Sequence, residues 1–139
     1  AGELLAVIAQ RLAKRICEYC RKPAEPDTAI LSEVFPDGAP VDFRCFQGNG
    51  CDKCNGQGTR GRVAIVEYME VDSDIRNAIS SQPPIGELRW RALDSGLITM
   101  RNSALDHVID GIIPLSELPR ILPRERMAPE ARGGLRSGE

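Results

Sequence analysis

Aromatic residues are scarce in this chain. Phe35, Phe43, Phe46, Tyr19, Tyr68 and Trp90 are all of them, 4% of the residues. A core built on large rings is therefore excluded, and Ile, Leu, Val and Ala must fill most of it. Histidine is scarcer still: with His107 alone, no H-x-x-x-H metal pair can be built. Its neighbours Leu105, Asp106, Val108 and Asp110 read as the partly exposed face of a helix. No Gly is followed by Lys, so there is no G-x-x-x-x-G-K-[ST] phosphate loop, and no G-x-G-x-x-G string opens a helix after a strand. No run approaches the roughly eighteen apolar residues of a membrane-crossing helix, and no basic-then-apolar leader is present. Neither charge predominates. Lys plus Arg number 18 and Asp plus Glu 20, a net charge of −2, which argues against a nucleic-acid partner. The chain carries no catalytic constellation of its own.

What is present is an ordinary globular composition, 42% apolar and 27% charged, over 139 residues. That length allows one domain, or a domain plus a tail. Charge falls in blocks. Residues 1–22 carry five basic and two acidic groups, residues 23–43 five acids and no base, and residues 44–62 four basic groups and one acid.

The opening segment places Leu5, Ile8, Leu12 and Ile16 at helical spacing, with Arg11, Lys14 and Arg15 off that stripe, which predicts an amphipathic helix. A start at Ala1 with no leader suggests a chain cut from a longer one. Pro23, Pro26, Pro36, Gly38 and Pro40 forbid a long helix through the acidic block, although a short one capped by Asp27 fits as far as Val34. Residues 62–71 are rich in β-branched side chains and predict a strand. Asp72 caps a helix to about Ser80, which Pro83-Pro84 ends. The next helix has Pro84 in its first turn, buries Leu88, Ala92 and Leu93, and stops near Gly96. Thr99 caps another, with Leu105, Val108, Ile109 and Ile112 as its stripe. Pro119 predicts irregular turns between Pro114 and Leu122. From Pro123 the sequence reads as a disordered tail.

Five cysteines remain, and four form two C-x-x-C pairs: Cys17 with Cys20, and Cys51 with Cys54, thirty residues apart. Each C-x-x-C turn sets two sulfurs on one side of a tight loop. Two such knuckles supply the four thiolates of a structural Zn²⁺ site. Thiolates favour zinc over the harder Mg²⁺ or Ca²⁺. Four protein ligands leave no open position, so the metal is expected to be architectural. Redox or disulfide pairing and an iron–sulfur cluster are the alternatives. Basic Arg15, Arg21, Lys22, Arg44 and Lys53 would partly offset the negative charge of the centre. Cys45, between Phe43 and Phe46 in the local sequence, reads as a small core residue, with a role as substitute ligand left open. Exchange of Cys51 is expected to release residues 17–62 and spare the helices after Asp72.

The assembled motifs resemble the C-terminal end of the type II secretion and type IV pilus assembly ATPases. Ala9-Gln10-Arg11-Leu12-Ala13-Lys14-Arg15-Ile16-Cys17 is similar to the family string entering the metal-binding insertion. Gly50-Cys51-Asp52-Lys53-Cys54-Asn55-Gly56-Gln57-Gly58-Thr59-Arg60-Gly61-Arg62 and Val63-Ala64-Ile65-Val66-Glu67 resemble the second knuckle and the strand after it. Gly96 to Arg101, Asp110-Gly111-Ile112 and Glu117 resemble the helical end. Gln57, Thr59, Ser103-Ala104 and Pro119 depart from the pattern. One C-x-x-C-x-G-x-G string is also similar to a repeat of the DnaJ-type chaperones, which leaves a free-standing zinc module for protein or nucleic-acid binding as the second reading.

The resemblance implies an α+β fold, mainly helical. Residues 1–16 would be the closing helix of an ATPase core, 17–62 a tetracysteine zinc lobe, 63–122 a strand plus a small helical subdomain, and 123–139 the tail. It implies Zn²⁺ on Cys17, Cys20, Cys51 and Cys54. ATP and Mg²⁺ would be bound only by upstream parts of the parent. That parent would be a cytoplasmic hexamer, peripheral to the membrane, working with inner-membrane components of a secretion or pilus machine.

Overall fold

Two long strands organise the molecule. In the computed structural model, which describes residues 3–130, β1 (Ala6–Ile16) and β4 (Thr59–Glu70) run antiparallel from Ala6↔Glu70 to Ile16↔Thr59. The expected opening helix is thus a strand. Its apolar residues have helical spacing, but pairing along β-branched β4 overrides that local preference. Leu5, just before the strand, and Ile8 and Leu12 on it are exposed, so the supposed stripe is not one buried face. The ladder shifts register between Lys14 and Ile16: Arg15 stands against two residues, Arg60 and Gly61. Gly61 takes the left-handed φ of +78° that such a bulge needs.

A second, shorter ribbon joins β2 (Arg21–Ala24) to β3 (Cys45–Gly48), from Arg21↔Gly48 to Ala24↔Cys45. The acidic block loops out between these strands. It contains helix α1 (Thr28–Val34), capped by Asp27, whose carboxylate accepts from the N–H groups of Ala29 and Ile30 at 2.9 and 3.2 Å. Helices α2 (Ser73–Ser80) and α4 (Met100–Ile109) start at the expected caps. Asp72 accepts from Ile75 N–H at 2.9 Å and Thr99 from Asn102 N–H at 3.1 Å. Each such cap contributes about 1 kcal/mol. Helix α3 (Ile85–Asp94) lies between them, with Pro84 as its cap residue. A 3₁₀ turn over Leu115–Glu117 leads into α5 (Leu118–Ile121), where Pro119 occupies the first turn and sacrifices no helical hydrogen bond. The architecture is α+β. Among the described residues, no helix is long and apolar enough to cross a membrane.

Packing does not follow the expected division at residue 62. One core cluster joins Ala13 of β1, Val34 of α1, Cys45 of β3 and Ile65 of β4 to Val108 of α4 and Leu118 of α5. A separate, smaller cluster holds Val71, Ile75 and Ala92, which ties α2 to α3. The expected tail is corrected over residues 123–130. Met127 is 2% exposed, and Arg101 donates to its carbonyl at 2.9 Å and to that of Val34 at 2.8 Å. Glu130 pairs with Arg89 and Arg126. One buried Met and one ion-pair cluster hold this apolar-poor segment, and neither forms a periodic pattern. Residues 131–139, the rest of that expectation, lie outside the described residues.

Candidate metal centre

The end of β1 delivers the first knuckle. Ile16 donates its N–H to the Ile112 carbonyl at 2.8 Å, and Cys17 to that of Gly58 at 3.0 Å, so the chain leaves the strand held on both sides. Cys17 and Cys20 then bracket a turn. The second pair brackets a 3₁₀ turn, Asp52–Cys54, which Asn55 ends in the left-handed conformation at φ 55°. The Gly56 N–H closes this loop on the Cys51 carbonyl at 2.9 Å. The knuckles meet through glycine. A Cβ built on Gly48 would stand 1.9 Å from the Gly58 carbonyl oxygen, so no side chain fits there.

This packing gathers all four predicted sulfurs within 4.8 Å of one another. Individual separations are 3.8 Å for Cys17–Cys51, 3.9 Å for Cys20–Cys54 and 3.7 Å for Cys51–Cys54. Sulfurs around zinc at about 2.3 Å stand about 3.8 Å apart along the edges of the tetrahedron. The four cysteines are therefore positioned to hold a metal ion. All five cysteines are free, so no disulfide joins either pair.

Backbone amides complete the donor set. Gly50 N–H points at Cys20 Sγ at 3.3 Å, while Cys51 and Gly58 N–H groups point at Cys54 Sγ, each at 3.2 Å. These donors favour the thiolate. Burial acts to raise the Cys54 thiol, but the Cys51 and Gly58 amides, together with the neighbouring Cys51 and Cys20 thiols, outweigh it and bring it down to about 6. Cys20 is pushed up to about 11 by burial and by its neighbouring thiols, against a single amide from Gly50.

Cys45 stands apart. It lies in β3 within the main core and donates to the Ala24 carbonyl at 3.5 Å, and burial pushes its thiol up. It is a core residue and no substitute ligand. The basic neighbours divide differently from the sequence expectation. Arg21 reaches the Gly111 carbonyl at 3.3 Å and lies over the Phe46 ring, which couples the lobe to the end of α4. Lys53 lies over the Tyr19 ring instead. The C-x-x-C spacing points to amides around the sulfurs but not to which ones, and the contact of Arg21 with the Gly111 carbonyl has no signal in the sequence.

The family model for type II/IV secretion system proteins matches residues 1–120. The chain belongs to this family. The type IV pilus assembly ATPase PilB of Thermus thermophilus is 35% identical over 119 residues, which cover 85% of this chain and 13% of that protein. PilB of Myxococcus xanthus is 34% identical over 84% of this chain and 21% of its own length. The type II secretion system protein E of Dickeya dadantii is 32% identical over 88% of this chain and 24% of its own. The chain thus spans between 13% and 24% of the length of these relatives. The whole lobe and both knuckles lie inside the family match, and residues 121–130, with the Glu130 clamp, lie beyond it.

Proposed function

We propose that this chain is the zinc-bearing C-terminal portion of a secretion or pilus assembly ATPase. Cys17, Cys20, Cys51 and Cys54 hold one structural Zn²⁺, and β1 and β4 carry the lobe on the motor core. The observation behind this reading is the set of four free thiols at tetrahedral edge spacing inside the family match. Zinc fits the donor set best, being soft enough for four thiolates and closed to substrate in this geometry. When bound, the ion supplies no chemistry beyond neutralising thiolates and fixing the knuckles.

In the parent, ATP and Mg²⁺ belong to segments outside this sequence. The working unit is a cytoplasmic hexamer that acts on inner-membrane components of its machine. Residues 1–16 join the motor core, 17–62 form the metal lobe, and 63–122 support it. Two measurements test the reading. Elemental analysis of the purified protein should find about one zinc per chain; a metal-free protein with Cys17 and Cys20 oxidised overturns the site. Sequencing the gene upstream of Ala1 should reveal a phosphate loop, and a natural start codon at Ala1 ends the motor reading.

A further inference from the structure

The face of the β1–β4 ribbon that buries Ala13 and Ile65 carries charge as well. Alternation along β1 puts Ala9, Arg11 and Ala13 on one face, and the register sets Arg11 beside Ile65 and Ala9 beside Glu67. The start of α4 and the segment from Ile121 to Glu130 border the same face, and a cavity of about 250 Å³ remains between them. Its walls hold four cations, Arg11, Arg89, Arg101 and Arg126, against two carboxylates, Glu67 and Glu130. The lining is therefore left with a net charge of +2.

Both carboxylates are already engaged elsewhere in the wall. Glu130 pairs with Arg89 and Arg126, and Glu67 with Arg89. Arg11 and Arg101 are in no ion pair among the described residues. Arg101 is partly buried, and it donates only to neutral acceptors: the Met127 carbonyl, the Val34 carbonyl and the Asn102 side chain. A desolvated charge with no counter-charge is costly. Thr99, 8% exposed, accepts from the Asn102 N–H and has no acceptor for its own hydroxyl proton among the described residues. The Met100 and Arg101 amides, in the first turn of α4, find no carbonyl either. On this side of the cavity the unspent groups are thus donors, and the helix start adds its positive end.

We infer that this cavity is a binding site for free inorganic phosphate as its dianion, with Arg11, Arg101 and Thr99 as donors and Glu130 as a neighbouring negative charge. A charge of −2 balances the +2 of the lining. The space lies below the size range of cofactor pockets, so a small ion with its waters fills it and a nucleotide does not fit. The site requires neither the metal nor the motor reading.

Calorimetric titration of inorganic phosphate into the full metal-loaded chain tests it, at constant ionic strength and mildly alkaline pH, where the ion is doubly charged. Wild type should bind one phosphate per chain, saturably, and chloride should not replace it. The Arg11 side chain makes no hydrogen bond or ion pair among the described residues, so Arg11→Gln should fold normally. It should weaken binding about tenfold, the weight of one charge-assisted hydrogen bond. Arg62→Gln removes the same charge outside the cavity and should bind as wild type does. Glu130→Gln takes a negative charge away from the ion and should tighten binding about threefold. Adenosine monophosphate should not bind. Absence of saturable phosphate binding overturns the proposal. So does an equal loss in Arg11→Gln and Arg62→Gln, weaker binding in Glu130→Gln, or adenosine monophosphate bound as tightly as the free ion.

Discussion

The Lys14 backbone N–H donates to the Glu117 carboxylate at 3.0 Å, across 103 residues of chain. The bond forms where the β1–β4 ladder shifts register, so Glu117 takes an amide beside the bulge. Glu117 is 6% exposed, and among the described residues its one ion-pair partner, Arg120, is distant at 3.8 Å. This acidic side chain from the helical end therefore fixes the last turn of β1 before Cys17. Glu117→Ala should cost about 1–3 kcal/mol in urea unfolding, because it orphans a partly buried amide, while Glu117→Gln, which retains an acceptor, should cost less than half as much.

Loss of a ligand should spread along the shared core. The sequence reading expected Cys51→Ser to unfold residues 17–62 and spare everything after Asp72. The packing redraws that boundary: α4 and α5 share the cluster of Val34 and Cys45, while α2 and α3 keep their own. Hydrogen exchange of Cys51→Ser, or of wild type treated with a strong chelator, should show protection lost in the lobe, α4 and α5 and retained in α2 and α3. Retained protection in α4 would refute the shared core.

Gly48→Ala should abolish the metal site without touching a ligand. Its Cβ would overlap the Gly58 carbonyl, whose residue also directs an amide at Cys54. The expected cost exceeds about 3 kcal/mol, at the severe end for one substitution. Metal retention against a competing chelator reads it out directly.

The clamp beyond the family match should titrate with acid. Hydrogen bonding from Arg89, above all, holds the Glu130 carboxyl below its ordinary 4.5, with Arg126 adding to the effect against partial burial. A depressed carboxyl binds fewer protons folded than unfolded, so its stabilisation is complete above about 4.5 and fades as pH falls toward the folded value. Wild type should lose stability over that acid range more steeply than Glu130→Gln. The difference should stay within about 1 kcal/mol, since these groups are partly exposed. Parallel pH profiles for the two proteins would remove the clamp from the stability account.

Legibility varied with the range of the interaction. The caps at Asp27, Asp72 and Thr99 were readable because a cap satisfies amides two or three residues away. The paired C-x-x-C motifs were readable because a tetrathiolate site needs little more than those spacings. β1 was misread because Leu5, Ile8 and Leu12 have helical spacing, and its partner lies some fifty residues further on. Residues 123–130 were read as disordered because Met127 and Glu130 make no periodic pattern.

The sequence by itself determined the four sulfurs, the glycines that let the knuckles close, the helix caps and the family, all set by local spacing. Only the tertiary structure decided that the opening segment is a strand, that Cys45 belongs to the core, that Glu117 secures β1, and that the lobe shares its core with α4 and α5. Each of these depends on residues distant in sequence burying surface or satisfying an amide together, and no local pattern encodes that.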